Sequence, residues 1–279
     1  MNPQRKNLFL TAGGLLFLLL GECAILLRNE ALKVWVTPFC WTGYILLVDS
    51  YLFRKRGSSL FQDYLWQMLL TFPISTALWL IFGGYNLLLK NWEYLNIPSH
   101  PLLKYPGFAW SFGTILPALF ETVDLLEYKG IFKEAQVVPS KISKNALVFS
   151  FFLGFLFLIY PLFVASPCDF PAVWLGFVFL LEPVNYSLGK RSLLKQLEKG
   201  KAQRLCTLLL TGGIMGFLWE FWNFWAGAKW IYHIPVPKTA KIFEMPLLGF
   251  LGFFPFAVEF YIMYHFVLPT QKFPLPENR

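Results

Sequence analysis

The chain has 279 residues and a formal net charge of +8; 56% of it is apolar, 19% aromatic and only 14% charged. A soluble domain carries about 25% charged residues, so a water-facing surface of ordinary make-up is excluded, as are disorder, collagen and coiled coil. What is left is an all-α polytopic membrane protein, with membrane lipids as its first partners.

A membrane span takes about 20 mostly apolar residues. Eight such runs follow one another: Leu8–Leu27, Val34–Phe53, Tyr64–Tyr85, Gly107–Leu126, Ala146–Ser166, Ala172–Leu188, Leu205–Ala226 and Pro246–Leu268. The first follows Arg5 and Lys6 as a signal peptide would, but its apolar core is too long for one. Leu20-Gly21-Glu22-Cys23 has the outline of a lipoprotein cleavage site, against which Glu22 beside the cysteine argues. Pro73, Pro117 and Pro255 fall inside the third, fourth and eighth runs, where neighbouring groups can satisfy the freed carbonyl. Cys23, Cys40, Cys168 and Cys206 show no metal or redox spacing and read as small apolar filler. His100, His233 and His265 are too few and too scattered for a histidine-rich di-iron centre. No metal and no cofactor is expected.

Eight spans put both termini on one side. That side collects 17 of the 24 Lys and Arg, among them Arg54–Arg56, Lys129, Lys133 and the run from Lys190 to Arg204. Positive charge stays cytoplasmic, so both termini are expected inside, in the inner membrane of a bacterial cell. The run Lys190–Arg204 reads as a solvated loop facing anionic headgroups, and no nucleic acid is expected as a partner.

The two halves of the chain match in order. Trp41-x-Gly43 recurs as Trp174-x-Gly176, Asp49 as Glu182 and Lys55-Arg56 as Lys190-Arg191. Asn86 recurs as Asn223, Trp92 as Trp230, Tyr94 as Tyr232 and Pro98 as Pro235. Pro117-x-x-x-Glu121 recurs as Pro255-x-x-x-Glu259. The expected organisation is a four-helix repeat over residues 1–130, a cytoplasmic linker over 131–144 and a second four-helix repeat over 145–279. Four spans per half return the chain to its starting side, so the repeats are parallel, related by a pseudo-two-fold axis along the membrane normal. The segments Asn91–Tyr94 and Lys229–Tyr232 read as an aromatic belt at headgroup level.

An ionisable residue inside a span is costly, usually faces the bundle interior and often marks function. Asp49, Asp124 and Glu182 lie near the inner ends, within reach of Lys55, Arg56, Lys190 or Lys129, and Glu22 and Glu30 read as interfacial. Glu220, Glu259 and Glu121 are the candidate functional acids. Gly212, Gly216, Glu220 and Asn223 share one helical face, running from close packing to a polar pocket. Glu259 is expected on the order of 10 Å from Glu220 in depth. Asn86 survives in the first half, but Gly83 stands where Glu220 would be, so a single site biased to the second half is expected.

Trp219-Glu220, then Trp230, then Phe243–Pro246 and Pro255-x-x-x-Glu259 resemble the small repeat-built carotenoid cyclases of the lycopene cyclase type and related polytopic terpene cyclases. Those enzymes carry a Trp-acid pair at the end of a helix, an aromatic segment and a proline-acid element. Their paired Glu-Glu is absent here, and their repeats are usually shorter. Glu244-Met245-Pro246-Leu247-Leu248-Gly249 is also similar to a segment of bacterial membrane proteins without assigned chemistry. The first resemblance implies acid-initiated cyclisation of an isoprenoid, carotenoid or other lipid. Glu220 would be the proton donor, Asn223 its orienting partner, and Glu259, with Glu121, further acids or bases. Trp219, Trp222, Trp225, Trp230, Tyr232, Asn86 and Trp92 would line the substrate, the indole faces stabilising a cation. Two other classes stay open on the residues alone. One is a non-catalytic membrane subunit or scaffold. The other is a proton-coupled lipid or small-molecule transporter, using Gly-Gly breaks at 83–84 and 212–213.

Overall fold

The computed structural model describes residues 2–234 and 240–268. Helix α1 (Pro3–Leu26) is followed by the short α2 (Glu30–Lys33), α3 (Val36–Arg56), the short α4 (Leu60–Asp63) and α5 (Leu65–Leu89). Strand β1 (Trp92–Leu95) leads to α6 (Pro101–Gly113) and α7 (Ile115–Tyr128). Then come α8 (Lys144–Phe163), a 3-10 turn at Pro167–Asp169, α9 (Phe170–Ser187), the short α10 (Leu193–Glu198) and α11 (Gln203–Trp225). Strands β2 (Lys229–Tyr232), β3 (Lys241–Ile242) and β4 (Met245–Pro246) precede a 3-10 segment, Leu247–Gly252, and α12 (Phe253–Val267). Among the described residues, five helical segments are long and apolar enough to cross a membrane: Pro3–Leu26, Leu65–Leu89, Lys144–Phe163, Gln203–Trp225 and Leu247–Val267. The chain is a helical protein of membrane type.

Burial is arranged for lipid rather than water. Leu8, Leu16 and Leu19 of α1 and Phe149, Phe152 and Phe155 of α8 face outward, while Asp49, Glu121, Glu182, Glu220, Glu259 and His265 are enclosed. Helices α7 and α12 form the centre. Ile115–Asp124 and Phe256–His265 are buried without interruption, as expected of helices wrapped on all sides.

The fourth and eighth apolar runs are not single α-helices. One is broken at Thr114 between α6 and α7, and the other opens as a 3-10 segment before α12. Pro117 and Pro255 explain both breaks. Each is the third residue of its helix, where a missing N–H removes no intrahelical bond. Extending the α-helix one turn backwards would drive the proline ring into the carbonyl four residues earlier. The Gly-Gly pairs are not breaks: Gly83-Gly84 and Gly212-Gly213 sit inside the uninterrupted α5 and α11.

The two halves make matching contacts. Helix α1 packs on α3, and α8 on α9, each through a pair of glycines. A Cβ on Gly43 would come within 2.7 Å of the Leu18 nitrogen and 2.9 Å of the Gly14 oxygen, and one on Gly154 within 2.3 Å of the Leu180 nitrogen and 2.7 Å of the Gly176 oxygen. Small residues at these crossings let the backbones touch. Asp49 accepts hydrogen bonds from Ser59 Oγ (2.9 Å) and the Phe61 N–H (2.8 Å). Glu182 accepts from Ser192 Oγ (2.6 Å) and the Leu194 N–H (2.8 Å). These two acids therefore tie the turn after their helix back onto it, and do not pair with Lys55 or Lys190 as the spacing suggested. The Lys190–Arg204 run is likewise not a solvated loop throughout. It contains α10, and Arg191 and Arg204 are buried. Gln136 bridges to Lys201, and Glu198 Oε1 accepts from the Ile142 N–H at 3.3 Å, so residues 131–144 are held against this run.

At the opposite end β1 pairs antiparallel with β2: Trp92 faces Tyr232, Glu93 faces Ile231, Tyr94 faces Trp230 and Leu95 faces Lys229. Trp92 and Trp230 are only 7% and 9% exposed, so the two segments are a ribbon capping the bundle and not a lipid-facing belt. An asparagine anchors each strand. Asn86 donates from Nδ2 to the Trp92 carbonyl (2.7 Å) and accepts the Trp92 N–H on Oδ1 (3.0 Å). Asn223 does the same with Trp230, at 2.8 and 2.9 Å. Pro235, matched in sequence to Pro98, lies outside the described residues, as do Lys238, Lys272 and Arg279 of the charge count.

Asn86→Ala and Asn223→Ala each strand two backbone groups that are poorly placed to find water. Each substitution is expected to destabilise the protein by about 1–3 kcal/mol, read as a lowered melting temperature in detergent. Unchanged melting of both variants would contradict the anchoring role.

Candidate functional site

The ribbon roofs a chamber. About 730 Å³ of space, part of it open to solvent, lies beneath Trp92, Tyr94, Trp230 and Tyr232. The walls are Trp41 of α3, Trp79 of α5, Trp174 of α9 and Trp219 of α11, with Phe112, Phe170, Phe253 and Phe256 completing them. Six indoles thus converge from six different elements. They pack edge on and tilted: Trp219 meets Trp230 at 5.4 Å with rings inclined 67°, and Trp79 at 5.4 Å inclined 43°. Such offset contacts expose π faces as well as edges. The close approach of α11 and α12 that shapes one wall depends on glycine. A Cβ on Gly212 would lie 2.0 Å from the Phe253 oxygen, and one on Gly216 2.3 Å from the Phe253 ring.

One wall residue connects the chamber to a buried acid. The Tyr232 hydroxyl donates to Glu220 Oε1 at 2.7 Å and accepts from Trp230 Nε1 at 2.8 Å. Glu220 is fully enclosed, and its Oε2 has no hydrogen-bond partner. Burial, with the Glu220 carboxyl beside it, pushes the Tyr232 hydroxyl well above the usual phenol range, and burial pushes Tyr94 up to about 12. Both phenols keep their protons across the neutral range; Tyr232 donates to Glu220, and Tyr94 accepts from Trp79 Nε1 at 3.2 Å. Two further polar atoms of wall residues, Thr37 Oγ1 and Trp92 Nε1, are buried without a hydrogen-bond partner.

The residues singled out from sequence are divided among several tasks. Trp219, Trp230, Tyr232 and Trp92 line the chamber, and Glu220 stands one hydrogen bond behind it. Asn223 does not orient Glu220. Both its amide atoms are engaged with the Trp230 backbone, and Asn86 is engaged in the same way with Trp92. Trp222 points elsewhere, donating to Glu22 Oε1 at 3.1 Å and packing edge on against Trp41 at 5.0 Å; Glu22 is therefore a helix-to-helix partner. Trp225 is 44% exposed and does not line the chamber. Glu259 is fully enclosed with no hydrogen bond to either carboxylate oxygen, Glu121 is fully enclosed beside the Asp49 carboxyl, and neither lines the chamber. Trp41, Trp79, Trp174 and Tyr94 are wall residues that the sequence reading did not place in the site. The recurrence of Trp-x-Gly at Trp41 and Trp174 was the available signal for two of them.

Away from the ribbon, Arg56 and Arg204 are each paired with a carboxylate. Arg56 holds Asp124 with both guanidinium branches, Nη1 at 2.8 Å from Oδ1, as the spacing suggested. Arg204 of α11 reaches Glu127 of α7 through Nε (2.6 Å) and Nη2 (3.0 Å), and its Nη1 lies 3.4 Å from the Tyr261 hydroxyl of α12. This fork joins three helices. Among the described residues no group of His, Cys, Asp and Glu is arranged to hold a metal.

Comparison with protein-family models, with curated proteins and with solved structures finds no match to this chain.

Glu127→Gln would leave the buried Arg204 charge without its partner and is expected to cost about 3–5 kcal/mol. Glu127→Leu combined with Arg204→Met is expected to recover most of that loss. Thermal unfolding of the three proteins in detergent checks both statements, and a double variant no more stable than the single one contradicts them.

Proposed function

We propose that this protein is a membrane enzyme that rearranges an unsaturated isoprenoid-type lipid by acid–base chemistry within the aromatic chamber. The observation that carries the reading is the Tyr232 hydroxyl, in the chamber wall and hydrogen-bonded to the enclosed Glu220. The walls are mostly apolar with a few convergent polar groups, the make-up of a ligand site. In the proposed reaction the Tyr232 hydroxyl turns from Glu220 towards the chamber and gives its own proton to one carbon of a double bond, while the protonated Glu220 carboxyl passes its proton to the Tyr232 oxygen. The neighbouring carbon becomes a cation, which the surrounding π faces stabilise. A second double bond attacks it, closing a carbon–carbon bond, and loss of a proton from an adjacent carbon returns that proton to the pair. The substrate is isomerised, and nothing is oxidised or reduced.

The architecture that goes with this reading has eight spans in two parallel tandem repeats. The ribbon faces outside, and both termini and the basic end lie in the cytoplasm, in a bacterial inner membrane. The paired glycine crossings, the Asp49 and Glu182 staples and the two asparagine anchors support the duplication. An antiparallel ribbon built from one strand of each half fits a two-fold relation between them. The second reading is a non-catalytic membrane subunit. It is favoured by Asp49 and Glu182, whose carboxylates tie turns to helices.

Lipid extracts of cells with and without the protein separate the two readings. The enzyme reading expects a lipid whose amount depends on the protein. Glu220→Gln and Tyr232→Phe should lower its formation about a hundredfold or more while leaving the protein folded. A lipid profile unchanged by removing the protein would leave the non-catalytic reading. The topology has its own check. In a cysteine-free background, Lys141→Cys should react with an impermeant maleimide only in inverted vesicles, and Lys90→Cys only in right-side-out ones. The same sidedness for both would overturn it.

A further inference from the structure

The geometry points to a headgroup site beside the chamber, where Lys104 holds the small anionic head of a membrane lipid, phosphate being the type case, while the chain lies among the indoles. This inference rests on the reading of the chamber as a lipid site and names the class of lipid. A groove, about 520 Å³ with the solvent-open space above it included, runs between the first turn of α3, one face of α6 and β2. It shares Thr37, Tyr94, Ser111, Phe112 and Trp230 with the chamber, so the two spaces meet along a common wall. Lys104, Gly107 and Ser111 follow one another on one face of α6, covering about 10 Å along the helix axis. Lys104 stands near the ribbon end of that face and Ser111 at the junction with the chamber.

Two observations beyond shape select the occupant. Thr37, at the junction, is 8% exposed, yet its Oγ1 has no hydrogen-bond partner in the protein. A buried hydroxyl is costly to leave unmade, so an oxygen of the ligand is its natural complement. The second observation is charge. Of the two lysines lining the groove, Lys229 is neutralised by Glu244 at 2.5 Å. Lys104 sits over the Tyr105 ring, 5.8 Å from its centre, and makes no ion pair among the described residues. One cation without an ion pair, in a groove that shares a wall with an aromatic cavity, fits an amphiphile with one anionic end. A neutral lipid leaves Lys104 unpaired, and a free anion leaves the indole walls uncovered.

Native mass spectrometry of the full-length protein in detergent, with geranylgeranyl phosphate and geranylgeraniol at equal concentration, tests this. The phosphate should be retained about tenfold over the alcohol. Lys104→Gln should bring the ratio close to one without changing the melting temperature, and Lys104→Arg should keep the preference. Thr37→Val should lower retention of both compounds several-fold while raising the melting temperature of the empty protein, a combination that damage to the fold does not produce. Equal retention of both by the unaltered protein would overturn the headgroup site and leave the chamber reading standing. Retention of neither would overturn both. Displacement of geranylgeranyl phosphate by an equal concentration of inorganic phosphate would mark a free-anion site and overturn the assignment to a lipid.

Discussion

Two short strands cannot stand alone at the end of a helical bundle. A ribbon of four-residue strands is marginal by itself, and in or near a bilayer every backbone N–H and C=O must find a protein partner. Here each strand finds two: the other strand and an asparagine from the preceding helix. Asn86 and Asn223 therefore fix where Trp92 and Trp230 sit in the ribbon. That placement in turn sets Tyr94 and Tyr232 two residues on. The chamber has a roof because the ribbon is pinned, and its roof comes from both halves of the chain.

The buried polar groups follow the same economy. Asp49 and Glu182 use their carboxylates on turns of their own halves, whereas Arg204 and Glu127 join α11 to α7. Glu220 is the one among the candidate acids with a hydrogen bond to a chamber residue. Glu121 lies close to Asp49, Asp124 and Arg56, while Glu259 is enclosed with neither carboxylate oxygen hydrogen-bonded. In the proposed function these last two acids are not needed to touch the substrate. Their enclosure in the two central helices separates them from the chamber wall.

Much of this arrangement was legible from residues alone. Composition and run length point to helices in lipid, and the ordered matches between halves pick out Asn86 with Asn223 and Trp92 with Trp230, which prove to share local geometry. The helix breaks escaped a reading by hydropathy because Pro117 and Pro255 sit in apolar runs. Only their place in the first helical turn makes them stops rather than kinks. A ribbon and a headgroup belt look alike in sequence for a related reason. Trp and Tyr suit the headgroup region and a roofed cavity equally well, and pairing between strands 137 or so residues apart leaves no local mark. Asn223 lay on the same helical face as Glu220, but sharing a face does not decide which neighbour an amide bonds. The open backbone of Trp230 was the more demanding partner.

The most direct test of the central claim is an experimental map of the protein in a lipid nanodisc. The account predicts elongated density under the ribbon, bounded by Trp41, Trp174, Trp219 and Trp230 and ending near Tyr232. A chamber filled by its own side chains, or a ribbon detached from Asn86 and Asn223, would contradict it.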